Sequence, residues 1–209
     1  VMAIAVLPML RVGGMQLFHM ESSDTSDKVM PRAAQIASGI GLIYVALTLI
    51  CGSALWLSGM GGFQAIAHAM TTIATGGFST SDDSVGHFNS PSIDAIITCF
   101  MILGSLPFVL YLQAVRGNLR QLATDSQVLW FLSIAAMAVI TLTLWQWLGN
   151  GVALLEAFRY TSFNAVSMMT GTGYSTADFS LWGGFAASLL FFLMVVGGCA
   201  GSTTCGIKI

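Results

Sequence analysis

From Val128 to Leu148 the chain carries no Asp, Glu, Lys or Arg. At ~1.5 Å per residue, about 20 mostly apolar residues cross the ~30 Å hydrocarbon core of a bilayer as a helix. Ile36 to Leu57 is a second run of this kind. Ile93 to Val115 is a third, with Pro107 expected as a kink that neighbouring helices support. Leu181 to Val196 opens a last span that breaks at Gly197-Gly198, and Val1 to Leu10 reads as the inner end of a span that starts earlier. Charged residues make up only 8% of the 209 residues, against about 25% in soluble domains. That deficit excludes an ordinary water-facing surface. The expected fold is therefore an all-α integral membrane protein, multi-pass and in contact with lipid. A formal net charge of −2 offers nothing to nucleic acid. No signal peptide is visible, and neither Val1 nor Ile209 looks like a natural terminus, so a fragment of a longer chain is expected.

Two apolar stretches, Phe63 to Ile73 and roughly Leu154 to Met169, are too short to cross. Such lengths point to half-helices that enter the membrane and return. Basic residues orient the chain. None lies between Arg32 and Arg116, so Arg11 to Arg32 and Arg116 to Arg120 belong in the cytoplasm, and Lys208 belongs on the cytoplasmic half. The loop carrying Asp82, Asp83 and His87 then lies outside. Arg159 departs from this pattern and is expected to pair with Glu156 at i,i+3.

Each half-helix runs into a polar loop: ATGGFSTSDD from Ala74 to Asp83, and MTGTGYSTADF from Met169 to Phe179. A shift of 96 residues lays Gly77 on Gly173, Phe78-Ser79-Thr80 on Tyr174-Ser175-Thr176, and Asp82 on Asp178. His68 falls on Asn164, and both are expected to hold their half-helices to neighbours by hydrogen bonds. A fixed-period repeat is an architectural signal. The organisation read from it places the end of a preceding span and a cytoplasmic linker in residues 1–35. A complete span–half-helix–loop–span unit follows in 36–115, and a second linker in 116–126. A second unit occupies 127–209 and ends within its last span.

Irregular backbone at membrane depth is tolerated only where protein buries it or it lines a water-filled path. Small side chains let carbonyls converge, and glycine permits the φ > 0 that turns successive carbonyls the same way. Carbonyl rings replace the water shell of a cation, and the negative C-terminal ends of half-helices add to the attraction.

Thr75-Gly76-Gly77-Phe78-Ser79 and Gly171-Thr172-Gly173-Tyr174-Ser175 resemble relaxed versions of the potassium-channel filter sequence. Over essentially its whole length the chain is similar to the Trk/Ktr/HKT superfamily of potassium transporters, most closely the bacterial TrkH type. The resemblance implies four span–pore-helix–filter-loop–span units around one pore, as in potassium channels, of which this chain holds about the second and third. It implies that the carbonyls of Thr75, Gly76, Gly77, Phe78, Gly171, Thr172, Gly173 and Tyr174 face K+. It also implies potassium uptake across the bacterial inner membrane, by channel or symport, without an organic cofactor. A homodimer and a cytoplasmic, TrkA-like nucleotide-binding regulatory subunit are the implied partners.

Val195 to Lys208 reads VVGGCAGSTTCGIK, too rich in glycine for a regular helix, since each interior Gly costs ~1 kcal/mol relative to Ala. By physics alone, a kinked helix packed through small residues and a loop that obstructs the pore are equally open. The resemblance implies the loop, at about 197–206, as a gate formed by Gly197, Gly198, Cys199, Ala200, Gly201, Ser202, Thr203, Thr204, Cys205 and Gly206. Cys51, Cys99, Cys199 and Cys205 show no metal-ligand spacing, and their apolar context predicts buried thiols. Asp82, Asp83 and Asp178 read either as an acidic outer mouth that concentrates cations or as solvated loop residues. Two other functions would leave different marks in the sequence. A secondary cation transporter with broken helices would put ionisable residues mid-span. The only carboxylate near a span interior is Asp94, in a first turn where it complements the helix dipole. A membrane hydrolase would need Ser202 or Cys205 to meet His68.

Overall fold

The computed structural model describes residues 29–115, 117 and 119–207. The expected span end at Val1 to Leu10, the linker Ser22 to Lys28, and Arg11, Arg116 and Lys208 lie outside the described residues. All regular structure among the described residues is helical.

Helix α1 (Val29–Leu57) is apolar from Gln35 to its end, long enough to cross a membrane. It leaves Leu42, Val45, Leu49, Ile50 and Trp56 exposed, a face suited to lipid or further protein. It stops where Gly59 adopts φ +96° and Met60 N donates to Leu55 O, a glycine-terminated helix end. Helix α2 (Gly62–Ile73) follows at once. Its 12 residues cover ~18 Å, roughly half the hydrocarbon. Its buried positions, Ala65, His68, Ala69, Thr72 and Ile73, form one helical face at i, i+3, i+4, i+7, i+8. A polar loop and a 3-10 turn (Ser84–Phe88) lead to α3 (Pro91–Gly104), which starts with proline at its first turn.

The stretch Ile93 to Val115 is broken at Pro107 far more sharply than a kink. Helix α3 ends at Gly104, and α4 (Phe108–Val115) leaves at 91° to it. Pro107 lacks an N–H and its ring clashes with the preceding turn, which alone would give a kink. The full turn persists because the freed groups of Gly104, Ser105 and Phe108 are all engaged by a distant loop, described below.

A short helix, α5 (Leu119–Thr124), leads to α6 (Ser126–Leu144), whose N-cap Asp125 accepts from Gln127 N and Val128 N. A π-turn at Trp145–Gly149 extends it to a 24-residue apolar span. Helix α7 (Leu154–Met169) is the second half-helix, with the boundaries expected. The last helix, α8 (Gly184–Val196), begins three residues after Leu181 because a 3-10 turn occupies Phe179–Trp182. Trp145 Nε1 ties that turn to the end of α6 by donating to Trp182 O at 2.9 Å.

Each unit packs its own core, but the units share a seam. Phe163, Val166 and Tyr174 of the second unit complete the cluster around Leu55, Ile73, Ile97 and Met101 of the first. At the end of this seam Arg159 meets Asp94, not Glu156. Its Nε donates to Asp94 Oδ2 at 2.7 Å, and its Nη2 reaches Asn89 Oδ1 at 3.3 Å. The i,i+3 expectation considered only local neighbours, whereas α3 lies directly against α7. Asp94 therefore does more than complement a dipole: it is 3% exposed and joins the two units.

Replacing Arg159 by Met alone would leave Asp94 without its partner in an apolar seam. Breaking a buried pair this way costs about 3–5 kcal/mol. The double replacement Asp94→Leu, Arg159→Met removes both groups and should recover most of that loss. Thermal unfolding of the detergent-solubilised full-length protein checks this: the single variant melts well below the double.

Candidate functional site

The two polar loops have the same backbone. Thr75 and Gly77 adopt φ +50° and +66°, and their equivalents Gly171 and Gly173 adopt +70° and +82°. A left-handed residue at every second position turns successive carbonyls to one side. The non-glycine member, Thr75, is disfavoured there. Its hydroxyl is 2.8 Å from Ala74 O and 2.9 Å from Thr203 O, contacts that hold it in place. Each loop leaves the C-terminal end of its half-helix, where the helix dipole is negative. Gly76 N returns to Thr71 O at 2.7 Å in the first, and Gly173 N returns to Ser167 O at 3.3 Å in the second.

The loops meet closely but not symmetrically. A Cβ on Gly77 would lie 1.8 Å from Thr172 O, whereas one on Gly173 would meet nothing within 4 Å. Beyond the glycines the 96-residue equivalence continues in the supporting bonds. Thr71 Oγ1 donates to Phe78 O at 3.0 Å, and its equivalent Ser167 Oγ donates to Tyr174 O at 2.7 Å. The carbonyls of Phe78 and Tyr174, expected to face an ion, thus each accept one hydrogen bond from a half-helix. The carbonyls of residues 75–77 and 171–173 accept no backbone hydrogen bond among those of the described turns and loops. His68 and Asn164 act one turn earlier. His68 Nδ1 lies 2.8 Å from Gln64 O and Nε2 lies 3.0 Å from Ser79 Oγ. Asn164 Nδ2 reaches Tyr160 O at 2.8 Å and Thr176 Oγ1 at 3.0 Å. Both residues hold the polar loops themselves rather than neighbouring helices. The side chains at 78 and 174 differ: Phe78 is 77% exposed, while Tyr174 is fully buried against the first unit, its hydroxyl 2.5 Å from Thr71 Oγ1.

Below the loops, the chain after α8 forms a closed loop. Gly197 adopts φ +71° and Gly206 φ +93°, and the two glycines touch backbone to backbone: a Cβ on Gly206 would lie 2.7 Å from Gly197 Cα. Gly198 lies against Thr204, where a Cβ would meet Oγ1 at 2.4 Å. Ser202 Oγ is 2.6 Å from Cys199 O and 2.7 Å from Thr204 Oγ1. From this closed base the loop reaches the first unit. Thr203 Oγ1 contacts Ile73 O at 2.8 Å and Gly104 O at 3.0 Å, and Cys199 N donates to Ser105 O. In return Phe108 N donates to Gly201 O, and Ala200 N donates to Gln127 Oε1. Cys205 lies under the second polar loop, its Cβ 3.3 Å from where a Cβ on Gly171 would stand. The stretch is therefore a loop and not a kinked packing helix. The sequence reading missed its socket, the Gly104–Phe108 break; the signal was Gly104-Ser105-Leu106-Pro107 itself.

On the other side, Asp82, Asp83 and Asp178 are exposed. Asp178 accepts from Ser180 Oγ and N, which lowers its pKa and keeps it ionised. The stretches beyond the glycines are laced together by Gly86 N to Ser175 O and Ser175 N to Ser84 Oγ. His68 is bonded to Ser79, not to Ser202 or Cys205, so the geometry assembles no nucleophile–base pair from these residues. Of the cysteines, Cys51 and Cys199 are buried as expected, but Cys99 and Cys205 are exposed. Cys99 sits on an outward face of α3, where apolar context does not require burial inside this chain. Among the described residues no cluster of His, Cys, Asp and Glu could hold a metal ion.

A family model described as TrkH, cation transport protein, matches residues 1–209. The chain is 45% identical to the Trk system potassium uptake protein TrkI of Halomonas elongata, over 100% of this chain and 42% of that protein. It is 39% identical to the Trk system potassium uptake protein TrkH of Salmonella typhimurium, over 100% of this chain and 44% of that protein. The crystal structure of the potassium transporter TrkH from Vibrio parahaemolyticus superposes with a TM-score of 0.82 at 34% identity, covering 99% of this chain and 42% of that one. The chain thus spans less than half the length of these relatives.

Proposed function

The chain belongs to the TrkH family of cation transport proteins, and from that premise we propose that it forms two walls of a potassium-conducting pore. The observation that carries the reading is the alternation of left-handed residues at 75 and 77, repeated at 171 and 173. It supports carbonyl walls from Thr75, Gly76 and Gly77 and from Gly171, Thr172 and Gly173. Dehydrated K+ fits such a lining because carbonyls replace its hydration shell. The potassium-uptake names of the relatives support the choice of ion. Transport and not bond chemistry is the activity. Two walls do not close a pore, and the exposed Phe78 supports a further unit beside the first loop, as α2 stands beside Tyr174.

The loop at 197–206, directly beneath the walls, is the gate in this reading. The membrane is the bacterial inner membrane, with the polar loops outside and the basic linkers in the cytoplasm. The complete protein is a homodimer, and its cytoplasmic face docks a TrkA-like nucleotide-binding regulatory subunit.

Replacing Gly77 or Gly173 by Ser tests the walls in potassium uptake by the full-length protein under sodium competition. Both variants should lose preference for K+. Gly77→Ser should lose more, because its Cβ meets a backbone carbonyl while Gly173→Ser bears only the left-handed strain. Unchanged competition in both would remove the assignment.

Neutralising Asp82 and Asp178 to Asn tests the mouth. Uptake at low potassium and low salt should fall, and the loss should shrink toward 1 M salt, where the Debye length is ~3 Å. Equal losses at every salt concentration would assign these residues to folding.

Deleting Gly198 to Cys205 tests the gate. Gly197 and Gly206 already touch, so a single peptide of ~3.8 Å could join them. Ion flux of the full-length protein should rise with the spans still assembled. Flux at the parental rate from a folded deletion would remove the gate.

A further inference from the structure

We propose that His68 and Asn164 are positioning residues for selectivity, each clamping the chain just where it leaves the pore lining. The inference rests on the carbonyl-wall reading above and deepens it. Both side chains are 0% exposed, in the middle of half-helices packed in apolar surroundings. A polar group in such a place costs free energy unless its hydrogen bonds are satisfied. One bond of each goes to the carbonyl four residues back, Gln64 O and Tyr160 O, which a Leu at the same position would leave no worse off. The second bond is the one that requires a polar side chain, and in both units it goes to a hydroxyl residue two or three positions past the lining: Ser79 and Thr176.

The clamp has two points. His68 and Thr71 are three residues apart, as are Asn164 and Ser167, so each pair shares a helix face. Thr71 and Ser167 hold the carbonyls of Phe78 and Tyr174, and His68 and Asn164 hold the hydroxyls of Ser79 and Thr176. Two fixed points, on consecutive residues in the first unit and two residues apart in the second, set both the position and the direction of the chain, and hence the spacing of the carbonyls just before them. The first clamp also receives the second wall. The His68 ring stacks on Tyr174 with centroids 5.9 Å apart, and Tyr174 Oη lies 3.4 Å from His68 O. The bonding pattern defines the His68 tautomer: Nδ1 donates to the carbonyl, and Nε2 accepts from Ser79 Oγ, which itself accepts from Ser81 N.

The two ring nitrogens have separate mimics, and this makes the test sharp. In His68→Asn the amide can replace Nδ1 and keep the helix bond, but it is too short to reach Ser79. In His68→Gln the amide oxygen can stand where Nε2 stood and keep the clamp. The full-length protein carrying His68→Asn, His68→Gln, Ser79→Ala or His68→Asn with Ser79→Ala is reconstituted in lipid vesicles. Potassium uptake is then measured against sodium competition, with Gly77→Ser and the parent alongside. The K+/Na+ preference of His68→Asn and of Ser79→Ala should fall by roughly three- to tenfold, the effect of one lost hydrogen bond. The double variant should fall no further, because the two share one interaction. His68→Gln should stay near the parent. Parental preference in Ser79→Ala, or equal loss in His68→Asn and His68→Gln, would overturn the clamp. If Gly77→Ser shifts preference and the clamp variants do not, the carbonyl walls stand without it. If Gly77→Ser also leaves preference unchanged, the first wall fails together with its clamp.

Discussion

Inside a bilayer no backbone N–H or C=O can be left to water, and nearly every irregular feature of this chain answers to that constraint. The break between α3 and α4 frees Gly104 O, Ser105 O and Phe108 N at membrane depth. The loop after α8 has free groups of its own. Each supplies what the other lacks: Thr203 and Cys199 serve the carbonyls of the break, and Phe108 N serves Gly201 O. Neither irregularity would be tolerated alone. Their interlocking carries the second unit across to the first and brings Thr203 under Thr75, whose left-handed backbone leans on that contact.

The internal repeat separates what the architecture demands from what it merely allows. Left-handed backbone recurs at both equivalent pairs, 75 with 171 and 77 with 173, as does the hydroxyl behind the loop at 71 and 167. What varies is the means. Thr75 does with side-chain bonds what Gly171 does by lacking a Cβ. His68 reaches Ser79, and the shorter Asn164 reaches Thr176, one residue further along the chain. Phe78 and Tyr174 differ because only Tyr174 has a neighbouring unit here to receive its hydroxyl.

Much of this was legible in the residues. Chain length and apolarity define the half-helices, because a helix of α2's size cannot cross a bilayer whatever its surroundings. Glycine spacing betrays the left-handed positions, because few other residues sit there without strain. Three features were not legible, for one shared reason: each depends on a partner far away in sequence. Pro107 is equally compatible with a kink and a right-angle turn, and the choice is made by a loop about 95 residues later. Arg159 has Glu156 within reach on its own helix, but Asp94 lies in a seam that local spacing cannot reveal. The carbonyls of Phe78 and Tyr174 accept hydroxyls from Thr71 and Ser167, and a threonine or serine in an apolar half-helix does not announce its acceptor.

The same interlock sets how a gate at 197–206 would move. The loop is held to the first unit and to Gln127 by a handful of hydrogen bonds, each worth ~0.5–1.5 kcal/mol net, a total within reach of a two-state switch. Net worth is the smaller issue. Withdrawing the loop without replacement would leave Gly104 O, Ser105 O and Phe108 N unsatisfied at depth, at ~1–3 kcal/mol for each group. Water is the available replacement, and it reaches that depth only along a continuous hydrated path. For a gate of this kind, opening and hydration of the path would be one event, because the loop would leave its socket only as water replaced its hydrogen bonds. This cooperativity follows from backbone chemistry at the Gly104–Phe108 break and needs no charged latch in this segment.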